Sequence, residues 1–209
     1  MLNLLTRFFP SITWHIKTDE KILFLTFDDG PVPEATPDVL DLLSKNQAKA
    51  TFFCIGNNIQ LHPEIFRRII NEGHAIANHT YNHLDGWYNS RENYLENVSA
   101  CEAIMKSEFQ PVTDKLLFRP PYGRLKFSQY TALRKKNKIV MWDVLTRDWE
   151  EKRSAGSCFD RVKRQARPGS IIVFHDSIKA KTRMLPALEE TLQHFRKSGY
   201  QFMSLEKYI

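Results

Sequence analysis

Short apolar runs and amphipathic segments alternate along the chain. The apolar runs have the length and the β-branched or aromatic content of buried strands, and the amphipathic segments repeat their apolar residues at helical spacing. Strands are predicted at 22–27, 50–55, 74–78, 116–118, 139–144, 170–174 and 202–205, and helices begin near 36, 63, 90, 126, 158 and 184. This alternation indicates a parallel sheet, because parallel strands need a crossover connection.

About seven strand–helix units in 209 residues indicate an α/β fold with one core. The number of units is compatible with a closed or nearly closed barrel of parallel strands, slightly smaller than an eightfold one. An open, doubly wound sheet would give the same alternation. The pattern alone leaves both architectures open.

Residues 1–20 form an extension ahead of the domain at 21–209. One face of a predicted short helix in this extension carries Leu2, Leu5, Phe8 and Phe9, and packing on the domain is favoured over contact with a membrane. The segment is too short and too interrupted for a transmembrane span or a signal peptide. We therefore predict no transmembrane segment.

The three cysteines, Cys54, Cys101 and Cys158, are far apart and stand in apolar surroundings. They are interpreted as buried free thiols and not as a disulfide framework. Free thiols are typical of a reducing compartment. Together with the lack of a recognisable signal peptide, they favour a cytoplasmic location over the cell envelope.

The composition, with 42% hydrophobic and 26% charged residues, excludes a disordered chain or a fibre. A net charge of +6 favours encounters with anions, such as acidic glycans, membrane surfaces or nucleic acid. The basic residues cluster only on predicted helices, near 134–138 and 161–167, where a solvated helix face explains them. No basic–aromatic motif is present, and we predict no nucleic-acid partner.

Ionisable side chains stand at the ends of the predicted strands. Asp28 and Asp29 follow the first strand, His79 and His83 the third, Arg119 the fourth, Asp148 the fifth, and His175 and Asp176 the sixth. The carboxyl ends of parallel strands meet on one face, which is where α/β folds place their functional sites. Five strand ends therefore deliver ionisable groups to one face, which supports an active site.

His79 and His83 are four residues apart. On a helical turn this spacing places both imidazoles on one side, and a carboxylate from another strand end would complete a metal-binding set of two His and one Asp. Three protein ligands leave a position open for water, as in catalytic sites. The competing interpretation is a pair of surface histidines, with Asp28 and Asp29 only shaping the turn before Gly30.

Five motifs follow one another in order between residues 22 and 176. They are Thr26-Phe27-Asp28-Asp29-Gly30-Pro31, His79-Thr80-Tyr81-Asn82-His83, Arg119-Pro120-Pro121-Tyr122-Gly123, Asp148-Trp149 and Val173-Phe174-His175-Asp176. Together they resemble the polysaccharide deacetylases of the NodB-homology type. The resemblance implies a distorted (β/α) barrel of about seven parallel strands with one divalent metal held by Asp29, His79 and His83. Zinc is favoured, and cobalt, manganese and iron also accept this ligand set.

The resemblance also implies roles for the other residues. Asp28 is expected to be the general base and His175 the general acid that protonates the departing amine. Arg119 would pair with Asp28, Asp148 would orient His175, and the backbone N–H of Tyr122 would stabilise the oxyanion. Pro121, Tyr122, Trp149 and Val173 are expected to contact the substrate, whereas Trp142, inside a predicted strand, is expected in the core.

Two positions depart from the family pattern. Leu145 stands where the family often has an acid, three residues before the Asp-Trp pair, and Asp143 is displaced from that position by two residues. Val173 stands where the family often has leucine. An altered apolar wall around the acetyl methyl group would affect the choice of substrate more than the chemistry.

The expected function is removal of N-acetyl groups from an N-acetylated glycan or amino sugar of the N-acetylglucosamine type, such as peptidoglycan, with release of acetate. The expected partner is therefore a carbohydrate substrate. Two alternatives remain: an O-acetyl esterase acting on acetylated polysaccharide, and a metal-containing carbohydrate-binding protein without catalysis.

Overall fold

The structure is a computed structural model that describes residues 9, 11–108 and 115–209. The predicted helical face with Leu2, Leu5 and Phe8 lies outside these residues. Within them, strands and helices alternate as the hydrophobic pattern predicts.

The described part of the chain contains nine strands and seven α-helices. The strands are β1 Ile12–Thr13, β2 Ile22–Asp28, β3 Ala50–Cys54, β4 Ala75–Asn78, β5 Leu116–Phe118, β6 Asn137–Val140, β7 Val144–Leu145, β8 Ile171–His175 and β9 Gln201–Phe202. The helices are α1 Thr36–Lys45, α2 Gly56–Leu61, α3 Pro63–Asn71, α4 Arg91–Glu108, α5 Phe127–Lys136, α6 Ala155–Gln165 and α7 Lys181–Lys197, with 3₁₀ turns at Gly86–Tyr88, Pro121–Gly123 and Leu205–Lys207.

The strands form one parallel sheet in the order β1-β6-β5-β4-β3-β2-β8-β7, with β9 beside β2. The sheet curls into an incompletely closed barrel with the helices outside. The prediction of a distorted α/β barrel is therefore confirmed, and the alternative of an open, doubly wound sheet is rejected. The structure has two strands more than the seven predicted. One is the short β1, and the other arises because one predicted strand is divided into β6 and β7.

The two faces of β2 serve different parts of the fold. Leu25 and Phe27 belong to the core between the sheet and the helices, whereas Phe24 belongs to the core inside the barrel. Because successive side chains point to opposite faces, Thr26 and Asp28 also face the inside. The strand is buried along its whole length, which explains its continuous apolar sequence.

The segment after β1 bridges the opening of the barrel at the amino end of β8. The Ile16 N–H donates to the Gly169 carbonyl at 3.0 Å, and His15 forms an antiparallel bridge with Ser170. The Asp143 carboxylate contacts His15 Nδ1 at 2.7 Å and accepts the Ser170 hydroxyl at 3.1 Å. These contacts join the β1 edge of the sheet to the start of β8.

The predicted single strand at 139–144 is wrong. β6 ends at Val140 and pairs with β1 and β5, whereas β7 begins at Val144 and pairs with β8. The chain crosses from one edge of the barrel to the other between them, which one straight strand cannot do. The strand predicted at 202–205 also ends early, at Phe202.

The helix predictions hold except for one omission. The predicted helices begin within three residues of their observed starts, but the pattern missed the short helix α2. All three cysteines are buried and free, as predicted, and burial raises the pKa of the Cys101 thiol to about 12. Over the described ranges, no helix is both long enough and apolar enough to cross a bilayer.

Gly169, which accepts the hydrogen bond from Ile16 just before β8, has no room for a side chain. Its φ is +84°, and a Cβ atom would lie 1.9 Å from the Ile16 carbonyl oxygen. We predict that Gly169→Ala lowers the free energy of unfolding by more than about 2 kcal/mol, as measured by urea denaturation. Gly156 in α6 is the control, because a Cβ there meets nothing within 4 Å, and Gly156→Ala should be neutral or stabilising. Equal losses in the two variants would contradict the prediction.

Candidate active site

The upper end of the barrel places Asp28 and His175 side by side. Asp28, the last residue of β2, pairs in register with His175, the last residue of β8, and with Phe53 of β3. The alternation of each strand turns these side chains toward the inside. Register and alternation together therefore bring an acid and an imidazole to the same level of one wall.

Arg119, directly after β5, is completely buried behind this wall. Its guanidinium donates to Asp28 Oδ1 at 2.6 Å and to Thr26 Oγ1 at 2.8 Å. The guanidinium carbon lies 3.9 Å from the centroid of the Phe53 ring, a cation–π contact. The ion pair fixes the Asp28 carboxylate inside the barrel.

Three side chains from two loops converge beside Asp28. His83 Nε2 lies 3.3 Å and His79 Nε2 lies 3.7 Å from Asp29 Oδ1, and one ligand atom of each residue lies within 4.8 Å of the others. Among the residues that the structure describes, this is the only group of three or more His, Cys, Asp or Glu side chains with metal-binding spacing. The three residues predicted as ligands are thus brought together.

His79 and His83 do not lie on a helical turn. Both residues lie in an irregular loop after β4, where φ is 66° at Thr80 and 58° at His83. These left-handed residues bend the chain, so that the two imidazole centroids come within 5.1 Å of each other without a helix.

The protonation of this group fits a divalent metal. His79 Nδ1 faces the Arg119 carbonyl at 2.8 Å and must donate to it, which leaves Nε2 unprotonated. Burial lowers the pKa of His79 to about 4, so the ring is neutral at neutral pH. Asp29 Oδ1 is buried without a hydrogen-bond partner. An unpartnered carboxylate oxygen between two imidazoles is the environment of a metal ligand.

The charge of Asp29 is stabilised by its neighbours. Burial raises the pKa of its carboxyl group, but His83, His175 and His79 outweigh this effect and the net pKa is lowered. An ionised carboxylate is the form that binds a cation.

His175 faces this group from β8 and is held by Asp148. The two oxygens of Asp148 accept the ring Nδ1–H of His175 at 2.8 Å and its backbone N–H at 2.9 Å. Burial lowers the pKa of His175, but Asp148 more than compensates, and the net pKa is raised to about 9. Trp149 packs against the ring with centroids 4.6 Å apart. His175 is therefore protonated at neutral pH, with Nε2 left for a substrate.

Comparison with known proteins assigns the family. Residues 15–139, more than half of the chain, match the family described as polysaccharide deacetylase. The chain belongs to the polysaccharide deacetylase family. It is 36% identical over 203 residues to a peptidoglycan-N-acetylglucosamine deacetylase of Bacillus cereus. The aligned region covers 95% of this chain and 92% of that protein.

A solved structure and a second curated relative agree with this assignment. The crystal structure of a peptidoglycan N-acetylglucosamine deacetylase in complex with 4-naphthalen-1-yl-N-oxidanyl-benzamide has a TM-score of 0.88 and 31% identity, over 95% of this chain and 92% of that one. The peptidoglycan-N-acetylmuramic acid deacetylase PdaC of Bacillus subtilis is 31% identical over 92% of this chain, which spans 39% of that protein. The family resemblance in the motifs is confirmed, and the chain is a deacetylase that hydrolyses a non-peptide amide bond.

A cavity of about 490 Å³ opens above the deacetylase site. Of the residues predicted to contact substrate, Tyr122, Trp149 and Val173 line it. Pro121 is buried, and Pro120 lines the wall instead. Tyr122 has a φ of 59° and packs its ring against His83 with centroids 4.6 Å apart.

Several cavity residues were not anticipated from the sequence. Trp142, expected in the core, is half-buried against the core inside the barrel and also lines the cavity, because it lies in the gap between β6 and β7. Leu145 also lines the cavity, whereas the carboxylate of the nearby Asp143 contacts His15 and Ser170 at the start of β8. No periodicity or motif marks Arg124 and Lys179, which line the cavity as well.

A second cavity of about 270 Å³ adjoins the first and shares Pro120 and Gly123 with it. Its lining is largely aromatic and includes Trp14, Trp87 and Phe127. Trp87 and Phe127 are 55% and 71% exposed, which is high for side chains of this size. An apolar aromatic groove thus continues from the deacetylase site.

The Arg119–Asp28 pair is predicted to be essential for stability. Arg119→Met leaves a buried carboxylate without its cation, and we expect a loss of about 3–5 kcal/mol in the free energy of unfolding by urea denaturation. Adding Asp28→Asn should recover part of the loss, because the uncompensated charge is removed. Arg124→Met is the control, since Arg124 forms a half-exposed pair with Asp85 and should cost at most about 1 kcal/mol. A loss as small as that of the control would contradict burial of the pair.

The raised pKa of His175 is predicted to depend on Asp148. Asp148→Asn removes the carboxylate, so the pKa should fall from about 9 to its usual 6.5 or below. The wild type then keeps the protonated ring up to about pH 9, whereas the variant loses it already near neutral pH. The measurement is an NMR titration of the His175 ring in the metal-free protein. Asp143→Asn changes a carboxylate that contacts His15 and Ser170 and should leave this titration unchanged. An unshifted pKa in Asp148→Asn would refute the assignment.

Proposed function

We propose that this deacetylase removes the N-acetyl group from N-acetylglucosamine-type units of a glycan and releases acetate, using one divalent metal held by Asp29, His79 and His83. The observation that carries the proposal is that the candidate metal ligands and the candidate acid and base meet in one cavity. The three ligand side chains line the same cavity as Asp28 and His175. Two imidazoles and one carboxylate with an open position are typical of catalytic zinc sites, and cobalt, manganese or iron are compatible with the same ligands.

The groups around the cavity supply the proton transfers of amide hydrolysis. A divalent metal bound there would polarise the acetyl carbonyl and lower the pKa of a water molecule. Asp28 takes the proton of the attacking water through Oδ2, since Oδ1 is engaged by Arg119 at 2.6 Å. His175 donates its Nε2 proton to the amine nitrogen as the C–N bond breaks, and Asp148 keeps the ring protonated and oriented.

The remaining lining residues support a carbohydrate substrate. The backbone N–H of Tyr122 is proposed to donate to the developing oxyanion, and the rings of Tyr122 and Trp149 offer faces for a sugar. Leu145 and Val173 form an apolar wall suited to the acetyl methyl group. The adjoining groove with Trp87 and Phe127 favours a polymer over a single sugar, and the names of the relatives point to peptidoglycan.

The test is acetate release from N-acetylglucosamine oligomers by the purified protein. We predict release by the zinc-loaded enzyme, loss on treatment with EDTA, and recovery when zinc is restored. Asp28→Asn should lower the rate by at least about 10²-fold, because the base for the attacking water is removed. Acetate is measured by a coupled assay and zinc by elemental analysis of the same preparation.

Matched O-acetylated sugars separate the alternatives. Release from the ester with none from the amide would replace the proposal with an O-acetyl esterase. Binding of oligomers without any acetate release would instead indicate a non-catalytic carbohydrate-binding protein.

A further inference from the structure

The carbonyl and the N–H of the peptide bond between Asp29 and Gly30 are both hydrogen-bonded to side chains. The Asn58 side-chain N–H donates to the Asp29 carbonyl at 2.8 Å, and the Gly30 N–H donates to Asp176 Oδ1 at 3.1 Å. Carbonyl and N–H belong to one planar unit, so the two bonds together fix its orientation. Asp176 is fully buried and also accepts the Thr36 hydroxyl at 2.7 Å.

This orientation matters because Asp29 has a left-handed backbone, with a φ of 85°. Such a conformation is uncommon for residues other than glycine, although aspartate tolerates it better than most. It persists only where surrounding groups hold it. The direction in which the Asp29 carboxylate leaves the chain therefore depends on the hydrogen bonds that hold the adjoining peptide.

Asn58 lies on α2, which also contacts the other ligand loop. The Gly56 N–H donates to the carbonyl of Thr80 at 3.0 Å, and Thr80 is the left-handed residue directly after His79. A Cβ on Gly56 would lie 2.8 Å from the Tyr81 ring, so the close approach needs glycine. One short helix thus touches the loops of Asp29 and of both histidines.

We propose that Asn58 is a positioning residue for the metal site, which sets the affinity for the cation by holding the Asp29–Gly30 peptide and with it the Asp29 carboxylate. The inference rests on the proposed metal centre. Asn58 is not one of the three ligand residues, and it acts through the Asp29 carbonyl. Partners that orient a metal ligand typically contribute about 10–100-fold in affinity.

Asn58→Asp and Asn58→Ala test the proposal, because both remove the N–H donor. We expect the dissociation constant for zinc, measured by competition with a chromophoric chelator, to rise by about 10–100-fold in both. The added negative charge of Asn58→Asp would by itself attract a cation, so weaker binding in that variant cannot come from charge alone.

Asn57 provides the matched control. It is the neighbouring residue on α2, and its side chain is exposed, so Asn57→Asp and Asn57→Ala should bind zinc as the wild type does. Thermal unfolding of each metal-free variant separates the two roles. A merely structural role for Asn58 would lower the melting temperature and leave the dissociation constant unchanged.

The outcomes separate this inference from the proposed function. If the wild type binds no zinc, the metal centre itself fails. If the wild type binds zinc and the Asn58 variants bind it equally well, or the Asn57 variants weaken binding equally, the positioning role is refuted. If Asn58→Asp does not fold, Asn58→Ala, which is smaller and uncharged, gives the same comparison.

Discussion

The ion pair between Arg119 and Asp28 fixes the centre of the barrel. The guanidinium is fully buried and bonds to side chains of β2 and to the carbonyls of Val140 and Met141 at the end of β6, while its own residue follows β5. A buried cation is tolerated only when it is paired and its donors are satisfied. This one guanidinium therefore ties the ends of β2, β5 and β6 together and holds the carboxylate of the proposed base in place.

Two imidazoles at the same end of the barrel, those of His79 and His175, have pKa values shifted in opposite directions. His79 has a carbonyl at Nδ1, and burial lowers its pKa to about 4. His175 is also subject to burial, but it has the Asp148 carboxylate at Nδ1, and its pKa rises to about 9. The partner at one ring nitrogen thus decides whether a buried histidine is neutral or protonated at neutral pH.

The sequence predicts those parts of the molecule that follow from local periodicity. Asp28 and His175 end buried strands, and parallel strands deliver their ends to one face, so their proximity was foreseeable. The shape of the loop with His79 and His83 was not, because it depends on left-handed residues that no hydrophobic pattern marks. The position of Trp142 at the cavity likewise depends on the break between β6 and β7, which arises from pairing with strands distant in sequence.

Backbone strain in this protein is concentrated where the chemistry lies. Of the six non-glycine residues with positive φ in the described ranges, Asp29, Thr80, His83, Tyr122 and Arg147 belong to the site or adjoin one of its residues. The hydrogen bonds of the sheet set the direction of side chains on strands. Side chains on loops reach the site only where the backbone departs from regular strand geometry. Such a backbone is held by hydrogen bonds from elements without chemistry of their own, such as α2. A motif therefore marks the residues that react, whereas the residues that hold them in place become visible only in three dimensions.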